Sequence, residues 1–178
     1  YRDFPEYYVF FGIHSFTYNG IPQPNRNTQL VKDENTDGLI VGYTEKEGYG
    51  IALSNKRHHR KILAIVMGAS SARKRDLESG QLVEWGLQSF ESPILYEAEQ
   101  AVSKAQVFKG KLNEVKIGFL HPVYATVGIG KSQEISPVLE TEQPVIAPIA
   151  KGQKIGVLKV YHQDKLLYEI PVVALEDV

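Results

Sequence analysis

The sequence predicts an α+β chain in two parts: antiparallel strands with one helix, then a small all-β sandwich. Three observations predict it. Strand-length apolar runs follow one another with short connections between residues 38 and 67. One helical stripe lies between residues 72 and 90. From about residue 100 onward, short strand patterns alternate with turn signals.

The first part opens on a loop-rich stretch, residues 1–35. There Pro22-Gln23-Pro24-Asn25-Arg26-Asn27 combines fixed φ angles with side chains that close turns on the backbone. The runs Gly38-Leu39-Ile40-Val41-Gly42, Tyr49-Gly50-Ile51-Ala52-Leu53 and Ile62-Leu63-Ala64-Ile65-Val66-Met67 are each bounded by polar or glycine punctuation. Their short connections favour an antiparallel meander. Ser70 or Ser71 suits a helix N-cap. Ala72, Ser79, Val83, Gly86 and Phe90 then recur on one helical face, widened by Leu82 and Leu87. Pro93 stops the helix.

In the second part, residues 102–108, 114–119, 123–128, 145–149, 154–161 and 166–173 read as strands. Lys109-Gly110, His121-Pro122, Lys151-Gly152 and Gln163-Asp164 mark turns between them. No helix of useful length fits there.

Composition narrows the chemistry. The 178 residues are 43% hydrophobic and 23% charged, an ordinary globular balance, with a net charge of -1. That charge gives no broad pull toward nucleic acid or anionic lipid. No stretch approaches the ~18 consecutive apolar residues of a membrane span. Cysteine is absent, which excludes disulfides and thiolate chemistry. His58-His59 has no third ligand near it in sequence and reads as a solvated hairpin, so no metal and no cofactor is expected. The basic residues 56–61 lack interleaved aromatics and read as a solvated turn. Asp33, Glu34, Glu45 and Glu47 read as loop acids.

A family resemblance rests on motifs in order. Asp37-Gly38-Leu39-Ile40-Val41-Gly42-Tyr43-Thr44, followed by Glu45-Lys46-Glu47-Gly48-Tyr49, resembles the third active-site strand of D-alanyl-D-alanine carboxypeptidases, the low-molecular-mass penicillin-binding proteins. That strand reads Asp-Gly-(Leu/Ile)-Lys-Thr-Gly-(His/Tyr)-Thr in the family. Phe4-Pro5-Glu6-Tyr7-Tyr8, Phe16-Thr17-Tyr18-Asn19-Gly20-Ile21, Gln23-Pro24-Asn25-Arg26-Asn27, Val66-Met67-Gly68-Ala69, Arg75 with Glu78-Ser79, and Trp85-Gly86 are similar to its flanking segments. Residues 91–178 match its β-rich second domain more loosely.

The resemblance implies residues 1–91 as part of a transpeptidase-like domain, related to serine β-lactamases, and residues 92–178 as a β-rich C-terminal domain. It implies a serine-type peptidase that trims peptidoglycan stem peptides, binds β-lactams and works outside the cytoplasm. Such enzymes use a Ser-x-x-Lys, a Ser-x-Asn and a Lys-Thr-Gly. The first two are expected before Tyr1, so no catalytic residue is expected within the chain. Ser71-Ala72-Arg73-Lys74 fits Ser-x-x-Lys in letters, but it stands after the third strand and reads as a helix cap. Ile40-Val41-Gly42 occupies the Lys-Thr-Gly position, which removes a cation and a hydroxyl.

By the resemblance, Ile40, Val41, Gly42, Tyr43 and Thr44 form the oxyanion and substrate strand through their backbone. Arg75 is the residue that neutralises the substrate carboxylate; the alternative is a salt bridge with Asp76 or Glu78. A second functional reading is a non-catalytic peptidoglycan-binding or scaffold relative with a degenerate third motif. A third takes residues 91–178 as a purely structural stalk. The sheet is expected to be completed by an N-terminal segment or a homodimer, because an open three-stranded sheet is marginal in water.

Overall fold

The computed structural model describes residues 1, 3–141 and 144–178. Its N-terminal stretch is built of small pieces rather than loop alone. Proline begins α1 (Pro5–Tyr8), where its fixed φ suits a first helical turn, and a 3-10 turn (Val9–Gly12) follows. The hairpin of β1 (Ser15–Tyr18) and β2 (Ile21–Pro24) turns at Asn19-Gly20, both at positive φ. That is the chemistry of a two-residue hairpin turn. The short α2 (Gln29–Lys32) precedes the main sheet.

The three apolar runs form β3 (Thr36–Thr44), β4 (Gly48–Arg57) and β5 (Arg60–Ala69), an antiparallel sheet in the order β3-β4-β5. Period-two alternation sorts their side chains onto two faces. Ile51 lies opposite both Val41 and Val66, and with Leu53, Ala64 and Ile62 these residues pack against Val83 and Leu87 of α3 (Ala72–Ser89). The other face carries the row Ile40, Ala52, Ile65. There Ile40, Leu63, Ile65 and Met67 are each more than 60% exposed.

The inner face of α3 keeps Ser79, Val83 and Gly86 of the expected stripe and departs from it at both ends. Arg75, Asp76, Ser79, Val83 and Gly86 are buried, whereas Ala72 is exposed and Phe90 has left the helix. Arg75 and Asp76 pay for their burial by pairing with each other. Ser71 Oγ accepts the amide of Lys74 at 3.1 Å, which makes Ser71 the cap.

The chain divides into two compact units, Tyr1–Ser89 and Phe90–Val178. The second holds β6 (Phe90–Glu91), β7 (Ile94–Tyr96), β8 (Ala101–Phe108), β9 (Glu114–Gly118), β10 (Val123–Tyr124), β11 (Val127–Gly128), β12 (Ile135–Thr141), β13 (Val145–Ile146), β14 (Lys154–His162) and β15 (Lys165–Ala174). Six of them form a sheet in the order β12-β14-β15-β9-β8-β13, with β13 parallel to β8 and the other neighbours antiparallel. The expected single strand over 123–128 is two: β10 pairs with β7, and β11 with β6. Phe90 and Glu91 therefore belong to the second unit.

β12 lies outside the expected strands, and Pro137 within it cannot donate to a ladder. It lies on a sheet edge, where a proline is tolerated. Val115, Ile117, Val123, Leu158, Val160 and Val172 are almost completely buried and centre this core. Gly118 and Gly156 stand where strands come closest. A Cβ on Gly156 would lie 2.3 Å from the Glu140 carbonyl oxygen, and one on Gly118 2.5 Å from that of Gln100.

Candidate functional site

β3 pairs with β4 on one side only, so its other long edge carries no strand among the described residues. An extended peptide can add to such an edge through main-chain hydrogen bonds. The segment Ile40 to Thr44 lies along it. Ile40 is 63% exposed on the open face, and Val41 is half-buried against the helix-covered cluster. A Cβ at Gly42 would meet no atom within 4 Å, so the strand is uncrowded at that point. Tyr43 is exposed and packs on Tyr49, its cross-strand partner, with ring centroids 4.4 Å apart. Thr44 Oγ1 accepts the amide of Glu47 at 3.0 Å and closes the turn into β4.

Arg75 does not reach this strand through any hydrogen bond or ion pair among the described residues. Its Nε and Nη2 donate to Asp76 Oδ1 at 2.8 and 2.7 Å. Asp76 Oδ2 accepts Thr28 Oγ1 and lies 3.6 Å from Lys32 Nζ. Glu78 pairs instead with Lys74, at 3.7 Å.

A polar clasp at the start of β3 was not legible in the sequence. Asp37 Oδ2 accepts Lys61 Nζ at 2.7 Å, and its Oδ1 accepts Ser54 Oγ at 2.6 Å and Tyr8 Oη at 3.1 Å. Lys61 Nζ also donates to Tyr8 Oη at 2.9 Å and lies 3.9 Å and 4.0 Å from the ring centroids of Tyr1 and Tyr8. Burial alone would raise the Asp37 pKa; the hydrogen bonds from Lys61 and Ser54, the Lys61 charge and Tyr8 outweigh it and hold the carboxyl below its ordinary value. For Lys61, burial works downward, and the bonds to Asp37 and Tyr8 carry its pKa upward. A serine, a lysine and a tyrosine thus sit together, yet Ser54 is fully buried and has no path to a substrate. The cluster fastens α1 to the sheet.

A second network corrects the reading of the basic stretch as a solvated turn, and it engages Asp33 in the loop before β3. Arg57 Nη2 bonds Asp33 Oδ2 at 2.8 Å and Glu84 Oε1 at 2.6 Å, and Asn55 Nδ2 bonds the same Asp33 oxygen at 2.7 Å. Burial pushes the Asp33 carboxyl upward, but the bonds from Arg57, Asn35 and Asn55 drive it far below the carboxylate range. Arg60 Nη2 donates to the carbonyl of Leu87 at 2.9 Å. Three cations of the basic stretch, Arg57, Arg60 and Lys61, therefore hold unit one together rather than standing in water. Among the described residues no group of three or more His, Asp or Glu is placed to hold a metal ion, and no helix is long and apolar enough to cross a membrane.

Comparison with known proteins bears on the same segments. Residues 90–178 match the family model "Penicillin-binding protein 5, C-terminal domain". The chain is 36% identical over 165 residues to D-alanyl-D-alanine carboxypeptidase DacA of Haemophilus influenzae, covering 91% of this chain and 42% of that protein. It is 31% identical over 177 residues to D-alanyl-D-alanine carboxypeptidase DacD of Salmonella typhimurium, covering 98% of this chain and 45% of that one. The crystal structure of penicillin-binding protein 5 from Haemophilus influenzae superposes with a TM-score of 0.74 at 32% identity, over 99% of this chain and 52% of that chain. The chain thus spans less than half the length of the curated relatives it matches. With half of its residues matched by that family model, the chain belongs to the penicillin-binding protein 5 family and carries its C-terminal domain.

Proposed function

We propose that this chain supplies the substrate-strand portion and the β-rich second domain of a serine-type D-Ala-D-Ala carboxypeptidase. Its protein trims peptidoglycan stem peptides in the cell envelope and is a target of β-lactams. The observation that carries this reading is the edge of β3 at Ile40 to Thr44, which pairs with no strand among the described residues and lies in the segment that resembles the family's third motif. The names of the relatives support the reaction class.

In this reading a stem peptide lies antiparallel along β3. The backbone N–H of Tyr43 points into the oxyanion hole, and the carbonyl of the same residue accepts from the substrate. The cleared space above Gly42 lets the peptide approach. Arg75 faces the substrate carboxylate only after it exchanges Asp76 for that partner. The nucleophile and its lysine are not among the residues of this chain. Ser71 is occupied as a helix cap, so the chain by itself forms no acyl-enzyme.

Ile40 and Val41 favour a second reading, a peptidoglycan-binding or scaffold relative that keeps the strand for its backbone alone. A charge-assisted hydrogen bond is worth ~1.5–3 kcal/mol, so losing the lysine and threonine groups costs several orders of magnitude in rate. Labelling with a fluorescent penicillin, followed by peptide mass spectrometry, tests both. The chain alone should stay unlabelled. The whole protein should label slowly and gain speed with Ile40→Lys and Val41→Thr together. A whole protein that stays unlabelled even with both substitutions favours the scaffold reading, and a penicilloyl group on Ser71 overturns the assignment of the strand.

A further inference from the structure

Asn19 and Gly20 form the tip of the β1–β2 hairpin, both at positive φ and both exposed. Three observations set this pair apart. First, no hydrogen bond among the described residues engages the Asn19 carboxamide or the Gly20 backbone N–H. Second, the space around Gly20 is open: a Cβ there would meet nothing within 4 Å. Third, the hairpin is a sheet of two strands only, exposed at every residue, and Pro22 and Pro24 of β2 donate nothing to its ladder. Such a pair of strands is marginal in water. Asn25 pins its base, donating its backbone amide to the His14 carbonyl at 2.8 Å and Nδ2 to the Ile13 carbonyl at 2.9 Å. The tip therefore opens while the base stays in place.

An asparagine followed by glycine carries its own chemistry. The Gly20 backbone nitrogen, its proton taken by solvent base, attacks Cγ of Asn19. A C–N bond forms, the Cγ–Nδ2 bond breaks, and Nδ2 departs as ammonia. Water then opens the five-membered succinimide. Opening at Cγ gives aspartate; opening at the main-chain carbonyl gives isoaspartate, whose backbone runs through Cβ and Cγ. No oxidant or cofactor enters. Ring closure requires rotation about the Asn19 Cα–C bond, which the poorly fastened tip allows. A side chain on the following residue would crowd the attack, and glycine has none.

The comparable positions are guarded. Asn25, Asn35 and Asn55 donate through Nδ2 to the Ile13 carbonyl, Asp33 Oδ1 and Asp33 Oδ2, Asn27 is buried, and Asn113 is followed by Glu114. Asp37-Gly38 has the letters for the same ring, but Lys61, Ser54 and Tyr8 hold its carboxylate. We propose that Asn19 is a self-modification site, at which the Gly20 nitrogen closes on the Asn19 carboxamide and converts the hairpin tip to isoaspartate. The product has one more atom in the backbone of the turn and one more negative charge. A two-residue turn with both residues at positive φ cannot be rebuilt around it, so the hairpin loses its closing turn.

Incubation of the folded chain in mildly alkaline buffer, followed by peptide mass spectrometry, tests this. The peptide carrying Asn19 should gain about one dalton and split into two chromatographic species, isoaspartate the larger, while the other asparagines stay unchanged. Gly20→Ala should slow the conversion several-fold. Chymotrypsin should cut the converted chain after Tyr18 faster than the fresh chain. Asn19→Gly keeps a turn at positive φ and cannot close the ring, so it should keep the fresh chain's cleavage rate through the same incubation. An Asn19 that stays intact in the folded chain while the urea-unfolded chain converts would overturn the proposal. Conversion at Asn113 as fast as at Asn19, or a converted chain cut no faster than the fresh one, would overturn it as well.

Discussion

Lys61 Nζ lies 2.7 Å from Asp37 Oδ2 across the sheet, with Tyr8 Oη as a further acceptor at 2.9 Å, so a cation from β5 ties both β3 and α1. Removing the cation leaves Asp37 and the Tyr8 hydroxyl short of a partner in a half-buried setting. Lys61→Met should lower stability by about 1–3 kcal/mol, the value for a partly screened rather than a fully buried pair. Chemical denaturation monitored by circular dichroism reads this directly.

The same pair sets a pH dependence. The Asp37 pKa is depressed in the folded state, so its contribution is present above the ordinary value of 3.8 and is lost as the pH falls through the folded value. Asp33 acts in the same direction. The raised pKa of Lys61 works in the opposite sense: its contribution is present below the ordinary value of 10.5 and is lost as the pH rises through the raised value. Unit one should therefore lose stability below about pH 4. In Lys61→Met the acid limb of the Tm-against-pH curve should be shallower than in the parent.

Ser71→Ala tests the cap. It should cost about 0.5–2 kcal/mol through the lost bond to the Lys74 amide, and Ser71→Asp should restore most of that. If Ser71 were a nucleophile instead, aspartate would not rescue any property that alanine removes.

Leu158 is fully buried at the centre of the second unit. Leu158→Ala should destabilise that unit by about 2–5 kcal/mol, from lost transfer energy together with the cavity left behind. Hydrogen exchange should show the loss in β14 and its neighbours β12 and β15.

The exposed row of Ile40 and Ile65, with Leu63 and Met67 beside it, is an apolar surface on an open sheet. The isolated chain should self-associate with rising concentration in light scattering, and Ile65→Lys should suppress the association. A strict monomer at high concentration would mean that this face is covered in solution.

Strands with β-branched runs were legible because alternation and burial agree in them, as in β4 with Ile51 and Leu53 inside. The helix was legible as an element and its inner face at Ser79, Val83 and Gly86, but not at Arg75 and Asp76. The salt bridge of Arg75 with Asp76 was one of the two alternatives the sequence offered, but its burial was not, because it depends on Thr28 and Lys32 of the distant α2 region reaching Asp76. The clasp was hidden for a related reason: Tyr8, Asp37 and Lys61 are 24 to 53 residues apart in sequence, and no local pattern links them. β12 lies outside the strands expected from the sequence, and its Pro137 argues against a strand unless the strand is known to be an edge. At the candidate site, the strand itself was legible, because the apolar run Leu39-Ile40-Val41 stands between glycines.

Two glycines of the second unit that a backbone carbonyl crowds most closely, Gly118 and Gly156, bear on how such a domain can diverge. Most of its positions can be exchanged for residues of similar volume, so overall identity between distant relatives falls quickly. Gly118 and Gly156 cannot follow, since a side chain would collide with the carbonyl of Gln100, just before β8, or of Glu140 in β12. They act as fiducial marks: an alignment of remote sequences that superimposes these two points has its strand registers fixed between them, even where every other letter has drifted.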